Sequence, residues 1–152
     1  MIYSPIFGPI VALVAWSLIM MAWMYIVRFP AMRRKGISLK GRIGSKSGAL
    51  DGVVEDQVQW KAHNYNHLME QPTLFYAIAI TLALLGWGAG INLYVAWAYV
   101  GFRVAHSLVQ ATTNVVLYRF YLFLAASLCL LVLTVHAAMA LLFAHPAAYA
   151  IG

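Results

Sequence analysis

Two stretches of the sequence combine polar side chains with a helical spacing. Their members are His63, Asn64, His67 and Glu70 in the first stretch, and Arg103, His106, Gln110 and Asn114 in the second. Except for Asn64, which lies beside the first stripe, the members of each stretch follow one another at three or four residues and share one helix face. Polar groups on a membrane helix normally face a bundle interior or a water-filled cavity. Both faces are therefore predicted to line a site.

The charged members of the two stripes are predicted to lie at similar depth. Counted from the Gly86–Gly90 turn at about 1.5 Å per residue, Glu70 lies roughly 24 Å and Arg103 roughly 18 Å along its helix. One interpretation is a buried Glu70–Arg103 ion pair that fixes helix register. Another is a cationic pocket in which Arg103 and Arg119 bind a small anion. For Arg119, a contact with lipid headgroups is the simpler alternative.

The five histidines raise the alternative of a haem or metal site. His63 and His67 have the i, i+4 spacing of a metal pair, but no HExxH motif accompanies them, and no metal site is predicted. His136 and His145 are isolated and are interpreted as structural. A haem held by two histidines between helices stays open.

The composition is that of a protein that crosses a membrane several times. Of the 152 residues, 64% are hydrophobic and 9% are charged, and the mean hydropathy is +0.81. A soluble fold of this size could not bury so much apolar surface. Nucleic-acid-binding modules and disordered proteins are excluded, and the single cysteine, Cys129, excludes a disulfide scaffold.

The apolar runs predict an all-α, integral-membrane four-helix bundle that forms one domain over residues 1–152. We expect the helices at about 7–27, 55–86, 91–116 and 119–144, with a kink at Pro72. A basic loop follows the first helix, at about 28–54. Eight of the ten Lys and Arg residues lie between Arg28 and Lys61. By the positive-inside rule this loop is cytoplasmic, and both chain termini lie on the other side of the membrane.

Two motifs resemble a known family of membrane proteins. The segment KAHNYNHLMEQPTLFYA, residues 61–77, resembles the second-helix motif of the MAPEG family, the membrane-associated proteins in eicosanoid and glutathione metabolism. The segment YVGFRVAHSLVQATTNVVLYRF, residues 99–120, is similar to the family's third helix and the loop that follows it. Chain length, helix number and the basic first loop also match.

The resemblance implies a homotrimer of four-helix subunits that binds glutathione between neighbours, near the cytoplasmic side. It implies that Glu70 binds the glutathione amino group, that His67 or Asn64 replaces a family asparagine, and that Arg103 contacts a carboxylate. Arg119 is implied as the catalytic residue that stabilises the thiolate, since a nearby cation favours the ionised thiol. His63, His106, Gln110 and Asn114 complete the predicted glutathione site.

The departures from the family pattern resemble a prokaryotic branch, which implies a bacterial inner membrane. Tyrosines of the family's third helix are replaced by His106 and Gln110, and an arginine of the second helix by Lys61 or His63. The predicted function is a glutathione-dependent transferase that conjugates lipophilic electrophiles, with peroxidase activity as a variant. The alternatives are a lipid-binding or small-anion-binding protein without chemistry, and a histidine-ligated haem protein.

Overall fold

The computed structural model describes residues 3–41, 43–44 and 48–143, and all regular structure in these ranges is helical. The helical segments are α1 (Phe7–Arg34), α2 (Asp56–Leu68), α3 (Gln71–Leu84), α4 (Ile91–Thr112) and α5 (Val116–Phe143). Because α2 and α3 are the halves of one interrupted helix, the arrangement is a four-helix bundle. The predicted helix end at residue 144, and Arg42, Lys46 and His145, lie outside the described residues.

The second predicted helix, 55–86, is broken at Met69 and Glu70. Pro72 explains the break, since it has no N–H to offer the Leu68 carbonyl, and its ring collides with that carbonyl in a continuous helix. The Met69 N–H donates a 2.9 Å hydrogen bond to the Asn66 oxygen, three residues earlier. Glu70 has φ −91° and ψ −97°, which lie outside the helical region. The predicted kink is therefore confirmed, but as a complete break.

The first helix extends to Arg34, beyond its predicted end at residue 27, and includes Pro30. A proline inside a helix removes one backbone hydrogen bond and crowds the preceding turn. Burial of the next turn in a small apolar cluster offsets that cost. The members of the cluster are Ala31, Met32, Leu50, Val54 and Val58. The basic loop consequently begins at Lys35.

The connection between the last two helices begins and ends earlier than predicted. Helix α4 ends at Thr112 instead of residue 116, and α5 begins at Val116 instead of residue 119. Asn114 ends α4 because it adopts the left-handed conformation, with φ 52°, and its N–H bonds the Val109 oxygen at 2.7 Å. Arg119 therefore lies in the first turn of α5.

The core that holds the site is shared by four helical segments. Helix α4 packs along α5, while α2 packs against both α1 and α4. The main apolar cluster joins α1, α3, α4 and α5. Near its centre the rings of Phe75 and Tyr99, both fully buried, stack at 4.4 Å between centroids.

The outer helices have the surface of membrane-embedded segments. Helices α1 and α5, 28 residues each, are long and apolar enough to cross a bilayer. They expose large apolar side chains such as Leu18, Leu128 and Leu131. Apolar surface of this extent is unfavourable in water and suits hydrocarbon.

Candidate functional site

The two predicted polar stripes meet at the break between α2 and α3. Arg103 of α4 has no exposed surface, and its Nη2 donates a hydrogen bond of 3.0 Å to the carbonyl oxygen of His67. That oxygen lies in the last turn of α2, where an unbroken helix would offer it the N–H of Gln71. The guanidinium thus replaces a backbone donor, and its charge stabilises the negative end of the α2 dipole.

The ring of His67 links Arg103 to Glu70. Arg103 Nη1 lies 3.4 Å from His67 Nε2, and His67 Nδ1 lies 2.8 Å from Glu70 Oε2. A guanidinium only donates hydrogen bonds and a carboxylate only accepts them. The proton of a neutral His67 ring is therefore on Nδ1, where it is donated to Glu70, and Nε2 accepts from Arg103.

An aromatic cluster fixes the plane of the His67 ring. The His106 ring lies 4.9 Å away between centroids, and the Phe123 ring of α5 lies 5.5 Å away. The Arg103 guanidinium carbon is 5.9 Å from the centre of the Phe123 ring, within the range of a cation–π contact. Side chains from α2, α4 and α5 therefore hold one another at this point.

A pocket of about 220 Å³ opens beside the cluster. Its walls are His67, His106, Val116, Arg119, Phe120 and Phe123. Asn114 positions Arg119, since its Oδ1 accepts a 2.8 Å hydrogen bond from Arg119 Nη1. The buried Arg119 Nε has no partner among the described residues. The pocket therefore combines apolar walls with a cation that retains donor capacity.

Six of the nine predicted site residues are not part of the pocket walls. Glu70, Arg103 and Asn114 bond residues of the walls, and the other three are His63, Asn64 and Gln110. His63 pairs with Asp51 of the basic loop, with 3.0 Å between Nε2 and Oδ1. Asn64 is fully buried and donates from Nδ2 to Ser107 Oγ at 2.8 Å. Gln110 is 4% exposed, and its Oε1 has no partner among the described residues.

The ion pair expected between Glu70 and Arg103 is not formed. The Glu70 carboxylate bonds the His67 ring, and the Arg103 guanidinium bonds the same residue from the other side. The estimate of depth brought the two residues to one layer, but the helix break turns the Glu70 side chain outward, where it is 67% exposed. His67 thus separates the two charges that the sequence suggested would pair.

A comparison with protein-family models bears directly on this arrangement. The model of the MAPEG family matches residues 6–139. The chain belongs to the MAPEG family. No curated protein and no solved structure is significantly similar to the chain.

MAPEG membership confirms the resemblance and the predicted fold class, an all-α membrane four-helix bundle. The matched range contains both polar stripes, the break at Glu70 and the pocket beside Arg119. It also contains α1 and nearly all of α5, the two segments that are long and apolar enough to span a bilayer. The site described above therefore lies within the part of the chain that the MAPEG model matches.

Sequence reasoning missed a junction inside this MAPEG bundle. Ser107 Oγ accepts hydrogen bonds from Asn64 Nδ2 at 2.8 Å and from Trp16 Nε1 at 3.0 Å. This oxygen joins α1, α2 and α4. A lone serine next to His106 gives no periodic signal, so only its small size on a buried helix face pointed to a packing role.

Two further contributors were also missed. Phe123 was hidden among the many aromatic residues of α5, yet it packs on His67 and Arg103. Gln71, which follows the break, donates from Nε2 to Ser127 Oγ at 2.7 Å, and its Oε1 lies 3.4 Å from the Tyr99 hydroxyl. These contacts tie the start of α3 to α4 and α5.

His67 and His106, the two histidine rings in contact at the described site, are not arranged as a pair of axial haem ligands. Both nitrogens of His67 have partners, and the His67 and His106 rings lie 4.9 Å apart at 40°. Two axial ligands would have to lie on opposite sides of a macrocycle, which leaves no room at this separation. Among the described residues, no group of three or more His, Cys, Asp or Glu could hold a metal ion.

The basic loop is attached to α2 by a polar contact outside the bundle core. Gln59 Nε2 donates to Asp51 Oδ1 at 2.6 Å, and the His63 ring contacts the same oxygen. The hydrogen bond from Gln59, with smaller contributions from His63 and Arg28, lowers the pKa of Asp51 below its ordinary value of 3.8. The ionised carboxylate therefore favours the docked loop.

Proposed function

We propose that this protein is a glutathione-dependent membrane transferase that joins the thiol to lipophilic electrophiles. The observation that supports the proposal most strongly is the pocket whose walls include Arg119 together with His67, His106 and Phe123. A cation and aromatic surfaces in the same walls suit a thiolate and an uncharged electrophile at the same place. MAPEG membership is the second support.

Arg119 is the residue to which we assign stabilisation of the thiolate. Its guanidinium carries a permanent charge, Asn114 holds it in place, and within the described ranges its Nε has no hydrogen-bond partner. A nearby cation lowers a thiol's pKa, and the thiolate is the nucleophile. The sulfur then forms a bond to the electrophilic carbon while the leaving group departs with its electron pair, and the thiol proton goes to water.

Peroxide reduction would use the same thiolate. The sulfur attacks one peroxide oxygen, the O–O bond breaks, and the alkoxide leaving group takes up a proton to become an alcohol. A second glutathione then reduces the resulting sulfenic acid to a disulfide, with release of water. Val116, Phe120 and Phe123 offer an apolar surface to a lipid hydroperoxide or to an alkyl or aryl electrophile.

The rest of the glutathione site is assigned around the helix break. Glu70, exposed beside the pocket wall, is assigned to the glutathione ammonium group. Arg103 is assigned a supporting role, because its guanidinium is buried and engaged by His67. His63, Asn64, His106, Gln110 and Asn114 remain proposed members of the wider site.

We further propose that the site is completed by a neighbouring subunit in a homotrimer. The pocket holds about 220 Å³, whereas pockets for complete drug-sized ligands hold roughly 300–1,000 Å³. This smaller volume supports a site that holds the thiol arm of a tripeptide on one chain and is closed over the rest of the ligand by a second copy. The exposed carboxylate of Glu70 faces outward, where a second copy would enclose a bound tripeptide.

The proposed orientation follows the charge distribution. Exposed Arg33, Arg34, Lys35 and Lys40 lie at the end of α1 and in the loop after it. By the positive-inside rule this end faces the cytoplasm, where glutathione is available, in a multi-pass protein of a bacterial inner membrane. The pocket beside Arg119 lies toward the same end, because α2 begins and α4 ends there.

Calorimetry with glutathione on the detergent-purified protein tests the proposal. Glu70→Gln and Arg119→Gln each remove one charge from the proposed site, and Lys40→Gln removes one from the exposed loop as a matched control. We expect the first two variants to bind glutathione about tenfold or more weakly, the scale of a lost charge-assisted hydrogen bond. Lys40→Gln should bind like the wild type.

Turnover with a chloronitrobenzene and with an organic hydroperoxide, each in the presence of glutathione, tests the chemistry. Product formation that depends on Arg119 supports a transferase or peroxidase. Saturable binding with no product from either substrate would instead favour the alternative of a binding protein without chemistry. Absence of glutathione binding in the wild type would overturn the proposal.

A further inference from the structure

The carboxylate of Glu70 is exposed, yet its orientation is set from inside the protein. Its Oε2 accepts a 2.8 Å hydrogen bond from His67 Nδ1. The side chain is 67% exposed, whereas the His67 side chain that holds it is 22% exposed. One carboxylate oxygen is thus held by a largely buried ring, while most of the Glu70 side chain stays accessible to a ligand.

The anchor itself has little freedom to move. His106 and Phe123 pack on the His67 ring at centroid distances of 4.9 and 5.5 Å, and Arg103 Nη1 faces its Nε2. Rotation of the ring by half a turn would place C–H groups where Nδ1 and Nε2 now lie, and both hydrogen bonds would be lost. The other tautomer would set a bare Nδ1 against the Glu70 carboxylate and an N–H against the guanidinium, and both contacts would be repulsive, so one ring orientation and one tautomer are favoured.

The charged groups around the His67 ring make Glu70 the residue that can select a ligand with a positive charge. The charged groups near His67 are Arg103 of α4, Arg119 of α5 and Glu70 at the helix break. Of the four acidic residues in the chain, the other three are Asp51, Glu55 and Asp56, which precede α2 or begin it. Glu70 is therefore the acidic group near the pocket that can oppose a positive charge on a ligand.

We infer that His67 is a positioning residue that fixes Glu70 for a ligand ammonium and thereby makes a free amino group a requirement for tight thiol binding. The inference rests on the proposed function, because it concerns the same site. Arg103 acts through His67: by donating to Nε2 it holds the tautomer that presents N–H to Glu70. Thiols that carry carboxylates but no ammonium are then disfavoured, since they leave Glu70 without a counter-charge.

Two probe thiols isolate this effect. One is glutathione, and the other is glutaryl-cysteinylglycine, which is identical except that a hydrogen replaces the amino group. Calorimetry gives the ratio of their affinities for the wild type and for each variant. Because both affinities are measured on one preparation, the ratio does not depend on the fraction of folded protein.

The variants separate positioning from packing. His67→Leu removes both hydrogen bonds, while His67→Asn keeps an N–H donor near the position of Nδ1. We expect the wild type to prefer glutathione about tenfold or more, His67→Leu to lose that preference, and His67→Asn to recover part of it. His136→Asn, which alters a histidine that bonds Asn92 in another part of the bundle, should keep the wild-type ratio.

The outcomes distinguish this inference from the proposed function. If the wild type binds both thiols equally, or if His67→Leu keeps the wild-type preference, the positioning role is overturned while glutathione binding stands. If the wild type binds neither thiol, the proposed function fails and the inference fails with it. A preference lost in His67→Leu and partly restored in His67→Asn supports the inference.

Discussion

Arg103 Nη2 bonds the carbonyl oxygen of His67 at 3.0 Å, so a side chain of α4 caps the broken end of α2. Pro72 creates the break, and the buried guanidinium compensates for it. The same break turns Glu70 outward beside the pocket. A single proline therefore accounts for both the structural role of Arg103 and the accessibility of the proposed ligand-binding carboxylate.

Replacement of Arg103 is expected to destabilise the protein as well as the site. Arg103→Met leaves His67 Nε2 without its donor and the His67 oxygen with only the long 3.4 Å bond from the Glu70 N–H, and should lower the free energy of unfolding by about 1–3 kcal/mol. Denaturation of the detergent-solubilised protein measures the change. Arg33→Met, at an exposed position of α1, is the matched control and should change little. Equal stabilities of the two variants would contradict the capping role.

The junction at Ser107 offers a second test of the packing. Ser107→Ala removes the acceptor shared by Asn64 and Trp16, and leaves two donors of the bundle interior unpaired. We expect a loss of about 1–3 kcal/mol in unfolding free energy for each unpaired donor. Thr112→Ala is the control, because its exposed hydroxyl bonds only a carbonyl of its own helix. Unchanged stability of Ser107→Ala would show that the junction does not hold the helices.

The turn between α3 and α4 is expected to be sensitive at one glycine. A Cβ at Gly88 would overlap the Ser4 hydroxyl and come within 2.9 Å of Ile6 Cγ2. Gly88→Ala should therefore lower the free energy of unfolding by about 1–3 kcal/mol, because the added methyl group overpacks the turn. Gly101 lies in α4, and the space around its Cβ position is open. Gly101→Ala should therefore raise the free energy of unfolding by about 0.5–1 kcal/mol. Thermal unfolding of both variants checks this difference in sign.

The contact between the basic loop and α2 is expected to weaken in acid. Because the pKa of Asp51 is lower in the folded protein, its ionised form stabilises the docked loop at neutral pH. This contribution is complete above the ordinary value of 3.8 and is lost as the pH falls through the lower folded value. Hydrogen-exchange protection of the Val53 and Val54 amides, which bond the Leu50 oxygen, should fall over that range.

Asp51→Asn provides the control for this pH dependence. Asparagine keeps an acceptor for Gln59 but carries no charge, so loop protection should be lower at neutral pH and should not change with acid in this range. An acid response in Asp51→Asn equal to that of the wild type would assign the effect to another group.

The general fold was predictable because apolar runs and one proline carry strong local signals. The four-helix arrangement followed from the length of those runs, and a kink, which the structure shows as a complete break, followed from Pro72. The ends of helices were less predictable. Burial of Ala31 and Met32 against Leu50, Val54 and Val58 extends α1 past Pro30, and local rules cannot show a contact between segments so far apart in the chain. Asn114 ended α4 through a left-handed backbone that many other sequences would not adopt.

The site was predictable as a layer but not as a set of contacts. Helical spacing placed Arg103 and His106 on one face of their helix, because residues three or four apart share a face. The similar depth of the two stripes then placed His67 in the same layer. The sequence did not show which residue each charged side chain bonds. That depends on the rotation of each helix about its axis and on the break between α2 and α3. Glu70 bonds His67 and not Arg103 for this reason.

The central claim is that Arg119 stabilises a glutathione thiolate in the pocket. The ultraviolet absorbance of the thiolate, recorded as a difference spectrum when glutathione is mixed with the purified protein at neutral pH, tests it most directly. Arg119→Gln removes the charge but keeps a donor for Asn114, and Lys40→Gln is the charge-matched control.

We expect a thiolate signal in the wild type and in Lys40→Gln, and its loss in Arg119→Gln at glutathione concentrations that saturate each protein. A thiolate signal of the same size in Arg119→Gln, or bound glutathione that stays a neutral thiol in the wild type, would contradict the account.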